Sequence, residues 1–177
     1  MIFFKKLYPK SKIIVFEPDK KTFEKLKINA ERNNFKDVEL FNKAVYNSKG
    51  TIKFYCDSNN PGSLAMSTNK KRFHKSYKIV DSDILSNYIK KSVDFLKVDI
   101  EGAEALVIEE LSKKNKLKLI KQMVIEYHHH IDPKDDKFSK ILRILEENDF
   151  GYKISSTLKS PLNREKFQDI LIYAYKK

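Results

Sequence analysis
The sequence predicts an α/β protein: a mostly parallel sheet with helices on both faces, finished by an antiparallel pair of strands. Short apolar runs alternate with amphipathic segments of helical period through most of the chain, the pattern of strand, helix, strand units joined by right-handed crossovers. Early runs such as "KIIVF" are apolar at successive positions, as a parallel strand buried on both sides requires. The last two runs, "YKISS" and "QDILIYAYKK", have only a loop between them, so they should pair antiparallel.

Taken in order, Phe3 to Tyr8 reads as the end of a helix closed by "YPKS", and Lys12 to Phe16 as a buried strand. Thr22 to Asn33 is a helix, with Phe23, Leu26 and Ala30 at helical spacing and "ERNNF" ending it. Val38 to Asn42 and Thr51 to Tyr55 are extended, separated by the turn "NSKG". The segment "CDSNNPGSLAMSTNKKRFHK" has no period and reads as a loop of the kind that carries function. "SDILSNYIKK" is expected to be a short helix capped by Ser82 or Asp83. "VDFLKVD" is a strand, and "GAEALVIEELSKKN" a helix turning Ala105, Ile108 and Leu111 inward. "IKQMVIEYH" is a strand, and "DDKFSKILRILEENDFG" a helix with Phe138, Ile141, Leu142 and Leu145 on one side and Gly151 ending it.

A chain of 177 residues with 41% apolar content suits one domain spanning residues 1–177, able to bury about 70% of its unfolded surface. No apolar run nears the ~20 residues that span a bilayer, and "MIFFKKLYPK" lacks the features of a signal peptide, so a cytoplasmic protein without a membrane span is expected. A single cysteine, Cys56, excludes an internal disulfide and a cysteine metal cage. The net charge of +12 raises the question of nucleic acid, but only Asn69 to Lys78, "NKKRFHKSYK", concentrates it with aromatics between. A solvated loop is the preferred reading there, and nucleic acid is not the expected partner.

Ligands of an open α/β sheet bind outside the carboxyl ends of its strands. That rule selects Glu17, Asn42 to Ala44, Asp99 and Glu101, and Glu126 to His130. Glu17 follows "IIVF" and precedes Pro18, and a carboxylate so placed can accept from both hydroxyls of a ribose or can cap the next helix. In "FLKVDIEGAE", Asp99 leaves a buried strand, Glu101 opens the following turn, and Gly102 permits close approach. Helix capping explains one such acid, and two acids so close suggest a site. In "VIEYHHH", His128 and His130 point the same way with Glu126 in phase. Glu126, His128 and Asp99 nominally supply three metal ligands, but no second motif supports a metal and none is assigned. A histidine that acts as general base or holds substrate is preferred.

"IIVFEPDKKTFEKLKINAERNN", "VELFNKAVYNSKGTIKFY", "DILSNYI", "DFLKVDIEGAEALVIEEL" and "MVIEYH" resemble, in that order and spacing, the FkbM family of S-adenosylmethionine-dependent methyltransferases. The resemblance runs from about Lys12 to His130, and "FLKVDIEGAE" is its most discriminating part. It implies a Rossmann-like class I methyltransferase fold and methyl transfer to a hydroxyl of a sugar or other small-molecule acceptor. It further implies that Glu17 binds the ribose of S-adenosylmethionine and that Asn42, Lys43 and Ala44 lie beside the adenine. Asp99, Glu101 and Gly102 would line the reacting end, Glu126 and His128 the acceptor side, with Asp99 or His128 as the base. The family's first central strand and glycine-rich turn would precede Met1, and Gly50, Gly62, Gly102 and Gly151 form no such turn. The expectation is therefore a domain N-terminally truncated relative to the family, its first central strand missing. The alternative is an inactive remnant, or a binding module that uses the basic loop around Lys70 to Lys75.

Overall fold
The computed structural model of the chain describes residues 1–56, 66–72, 76–156 and 168–177. It contains helices α1 (Ile2–Leu7), α2 (Lys20–Arg32), α3 (Glu104–Lys113) and α4 (Phe138–Glu147). Its strands are β1 (Ile13–Phe16), β2 (Val38–Phe41), β3 (Ala44–Tyr46), β4 (Gly50–Cys56), β5 (Ser76–Ile84), β6 (Val93–Val98), β7 (Ile120–His129), β8 (Phe150–Ser156) and β9 (Gln168–Lys176). They form a parallel pair β1-β2, a three-stranded sheet in the order β3-β5-β4, and a four-stranded sheet in the order β6-β7-β9-β8. In the last of these β6 and β7 are parallel, and β9 runs antiparallel to both its neighbours.

The core lies between one face of the four-stranded sheet and helices α3 and α4. Val98, Met123, Ile125, Ile172 and Ala174 meet Ile108, Leu111, Ile141 and Leu145 there, all buried. Both helices follow their apolar period, and Ile144 joins the expected stripe of α4. The cross-strand register puts Phe95 level with Gln122, and Tyr173 level with Val124, on the opposite face. That face is open enough to leave Phe95, Leu171 and Tyr173 partly exposed, with the Phe4 ring of α1 tilted against Phe95 at 5.1 Å. Helix α2 has the expected spacing, yet Phe23, Leu26 and Ala30 are only half-buried and none of its residues is fully buried. Its start is secured by Asp19, whose carboxylate accepts from the Thr22 amide at 2.8 Å.

Two local expectations are corrected. Ser82 and Asp83 cap no α-helix: they end β5, which is held between β3 and β4, and only a single 3₁₀ turn follows at Leu85–Asn87. Pairing on both sides satisfies more backbone groups than a short isolated helix can. Gly151 does not end α4 either. Asp149 takes the left-handed conformation (φ 57°), and Gly151 lies in β8, where a Cβ would meet the Tyr175 ring at 2.7 Å.

Candidate functional site
The carboxyl ends of β6 and β7 lie side by side because the strands are parallel, with Val98 level with Ile125. Asp99 and Glu101 leave the end of β6, while Glu126 and His128 share one face of β7. Strand β9 adds Asp169 directly opposite His128. Four carboxylates and one imidazole thus converge at one tip of the sheet.

His128 organises this tip. Its side chain is 2% exposed, with Nδ1 at 2.8 Å from Glu104 Oε1 and Nε2 at 3.1 Å from Glu101 Oε2. Glu104, in the first turn of α3, is itself 0% exposed, and its Oε1 also accepts from the Gly102 amide at 2.9 Å. Burial favours a neutral imidazole, but the hydrogen bonds and charges of Glu101 and Glu104 outweigh it and push the His128 pKa up to about 10. His128 is therefore an imidazolium at neutral pH. Glu101 accepts from Arg72 Nε at 3.1 Å as well, so its charge is shared between two cations.

The turn between β6 and α3 is tight. Glu101 and Gly102 both have positive φ, 56° and 109°, and a Cβ on Gly102 would lie 2.6 Å from Ile131 Cδ1. Ser67 Oγ donates to the Glu101 carbonyl, and Ser67 is tied to β4 by two backbone hydrogen bonds with Tyr55. A cavity of about 220 Å³ opens beside this turn, lined by Asn69, Lys71, Gly102, Tyr127, His128 and Ile131 among others. At its edge burial, and then the hydrogen bond to Asp136, raise the Tyr127 phenol above its ordinary pKa.

Asp99 and Glu126 sit on the outer side of the cluster. Lys97 Nζ is 2.6 Å from Asp99 and 3.9 Å from Glu126. Burial, then the charge of Asp99, raise the Glu126 carboxyl pKa, offset in part by Lys97 and His128.

Glu17 belongs to a second group of contacts. It follows β1, and its Oε1 accepts from the Asp19 amide at 2.8 Å. Burial raises its pKa, with the Asp19 bond and the charge of Lys78 acting against that. Asn42 braces this tip by donating to the Glu17 carbonyl at 2.8 Å. Lys43 turns away, binding Asp83 at 3.0 Å and Tyr88 Oη at 3.4 Å, while Ala44 is buried at the start of β3.

Among the described residues of the basic segment, Lys71 is ion-paired with Asp132, Arg72 with Glu101, and Lys78 with Asp19. Residues 73–75, like most of the loop after Cys56, lie outside the described residues.

Glu104 and Asp169 carry no expectation from sequence, Arg72 enters only within the basic segment, and Asp83 only as a helix cap. Glu104 stands in "EGAE" and could have been found by asking which acid of the helix faces the core. Asp169 carries no local signal.

The sequence matches the family model "Methyltransferase FkbM domain" over residues 2–154. The chain belongs to the FkbM methyltransferase family. Its fold resembles the crystal structure of methyltransferase FkbM from Methylobacillus flagellatus KT, at 16% identity and a TM-score of 0.51 over 92% of this chain. The chain spans 36% of the length of that structure. A second similar structure is the precorrin-6y C5,15-methyltransferase of Geobacter metallireducens GS-15, at 12% identity and a TM-score of 0.46, covering 98% of this chain and 71% of the other. No curated protein matches the sequence. The Rossmann-like α/β expectation for this FkbM-family chain is met, and among the described residues no helix is long and apolar enough to cross a membrane.

Proposed function
We propose that this FkbM-family chain binds S-adenosylmethionine and methylates a hydroxyl of a small-molecule acceptor. The observation that carries the proposal is the ordered polar cluster at the ends of β6 and β7, with a buried His128 clamped between Glu101 and Glu104 beside a cavity. Such a cluster is costly to build and is over-determined by Gly102, Ser67 and Arg72, as functional sites are.

The cofactor's nucleoside suits the tip of β1. Glu17 is half-buried at the carboxyl end of a parallel strand, where its carboxylate can take ribose hydroxyls while Asn42 holds the backbone beneath it. Lys43 and Ala44 continue that wall toward the adenine, Lys43 through its backbone because its ammonium is committed to Asp83. When bound, S-adenosylmethionine supplies an activated methyl group on a sulfonium. Asp99, Glu101 and Gly102 then line the reacting end, and Glu126 and His128 the acceptor side. Asp99, partly exposed at the rim, takes the acceptor's proton. His128, held between Glu104 and Glu101, keeps Glu101 in place on the acceptor side.

The test is a thermal-shift titration with S-adenosylmethionine on the parent chain and on Glu17→Ala. At a hundredfold excess over Kd the parent gains about 2.7 kcal/mol, a rise of about 5–11 °C for a domain of this size. Glu17→Ala should need a markedly higher cofactor concentration for the same rise. No shift in the parent, or an identical titration for Glu17→Ala, would overturn the proposal.

A further inference from the structure
Helix α1 is turned inside out. Its enclosed residue is Lys5, 2% exposed, whereas Phe3 and Leu7 are 67% and 56% exposed and Tyr8, at the helix end, is 61% exposed. A buried charge beside exposed large apolar groups reverses the usual order of inside and outside, and that reversal is informative where a single exposed leucine is not. The orientation is fixed from within. The Lys5 ammonium donates to the Pro9 carbonyl at 2.9 Å and to the Ser11 carbonyl at 2.6 Å, and the Phe4 ring lies tilted against Phe95 at 5.1 Å. With Phe4 and Lys5 held inward, Phe3 and Leu7, one helical turn apart, share the outer side. Phe95 is itself 36% exposed, so the apolar surface continues from α1 onto the open face of the sheet.

The charge around this patch has one sign. Residues 1–12 contain Lys5, Lys6, Lys10 and Lys12 and no acid. Lys5 is enclosed and Lys12 pairs with Glu39 at 2.6 Å, which leaves Lys6 and Lys10, both exposed and without an ion pair among the described residues. The chain as a whole carries +12, so its field favours approach to an anionic surface. These charges select the occupant. In a symmetric pair of copies the same patch faces itself, so Lys6 and Lys10 would meet a second basic patch, and like charges across an interface are costly. An anionic bilayer offers both halves at once: hydrocarbon for Phe3 and Leu7, and headgroup phosphates for Lys6, Lys10 and the Tyr8 hydroxyl. The lysine stems let the ammonium groups stay among the headgroups while the apolar side chains sink. A helix of 6 residues, about 9 Å long, lies on such a surface and does not cross it.

We propose that α1 and the turn through Lys10 that follows it form a docking surface for anionic phospholipid bilayers, with Phe3 and Leu7 inserted, Tyr8 at the boundary, and Lys6 and Lys10 on the headgroups. The surface lies on the side of the four-stranded sheet away from α3 and α4. It stands independently of methyl transfer, because its test contains neither methyl donor nor acceptor.

The experiment is co-sedimentation of the full chain with vesicles of phosphatidylcholine, alone and mixed with phosphatidylserine. The mixed vesicles should carry the parent down and release it as salt is raised, while phosphatidylcholine alone should retain much less. Phe3→Ser combined with Leu7→Ser should lower the partition coefficient about tenfold or more, and Lys6→Ala and Lys10→Ala should each lower it about fivefold. All four positions are exposed, so the variants should keep the parent's circular dichroism. Lys113→Ala, on α3 across the sheet, should bind as the parent does. Sedimentation equilibrium without lipid tests the competing occupant, a second copy. A parent that stays in the supernatant with mixed vesicles, a Phe3→Ser, Leu7→Ser chain that binds as the parent does, equal losses in Lys113→Ala and Lys6→Ala, or a dimer that the Phe3→Ser, Leu7→Ser chain no longer forms would each overturn the docking surface.

Discussion
Removing Glu104 tests the central claim that a buried acid, rather than the strand ends alone, builds the site. In Glu104→Ala, His128 loses a partner at 2.8 Å and the Gly102 amide loses its acceptor at 2.9 Å, both to a carboxylate that is itself 0% exposed. Breaking a buried, hydrogen-bonded ion pair from one side costs about 3–5 kcal/mol. The lower end applies here, because Glu104 Oε2 has no partner in the parent among the described groups and its removal relieves a penalty. A loss of about 3 kcal/mol lowers Tm by about 6–12 °C in a domain of this size. Glu104→Gln keeps an oxygen for the Gly102 amide but not the charge that holds the imidazolium, so it should cost roughly half as much. Urea unfolding followed by circular dichroism measures both, with unchanged m-values as the check that the denatured state is the same. A Glu104→Ala protein within about 1 kcal/mol of the parent, or a Glu104→Gln protein as damaged as Glu104→Ala, would refute the reasoning.

Asp83 is buried, and Lys43, Tyr88, the Ile84 amide and Asn87 together overcome its burial and hold its pKa below the ordinary 3.8. Its contribution is therefore present above pH 3.8 and lost as pH falls further, so Asp83→Asn should be less stable than the parent at pH 7, with the gap closing on acidification below about 4; a gap that is constant with pH would contradict this. Gly102→Ala should cost about 1–3 kcal/mol because its φ of 109° is closed to alanine. Adding Ile131→Val should recover only the part due to the contact with Ile131 Cδ1, and full recovery in a chemical denaturation series would show that the backbone is unstrained. Asp19→Ala should lose about 0.5–2 kcal/mol through the helix cap, measured by thermal unfolding, and no loss would mean that α2 is held by packing instead.

Much of the fold is legible because its signals are local. The stripes of α3 and α4 repeat at helical spacing, and "IIVF" and "MVIEYH" carry the apolar content of buried strands. The errors fall where pairing competes with local preference. "SDILSNYI" has a helix-like start, yet β3 and β4 claim its first residues for β5. The acids of the candidate site were visible as strand tips, but their partners were not: Arg72 reaches Glu101 from a loop, and Asp169 reaches His128 across the β7-β9 ladder.

The sequence by itself determined the succession of strands and helices, the acidic tips at Glu17, Asp99 and Glu126, and the likeness to FkbM methyltransferases. The succession and the tips follow from composition and from periods of two and 3.6 residues, which neighbouring positions are enough to display, whereas the likeness rests on motifs such as "FLKVDIEGAE" and "MVIEYH" in their order. Only the tertiary structure decided that Glu104 is buried against His128, that Asp169 faces the same imidazole, and that Lys43 is spent on Asp83. Those facts depend on register between distant segments and on which side of a helix meets the sheet. An acid on a helix or at the start of a strand reads the same whether it ends in solvent or in the core, and the burial that shifts its energy by several kcal/mol exists only once the chain has closed around it.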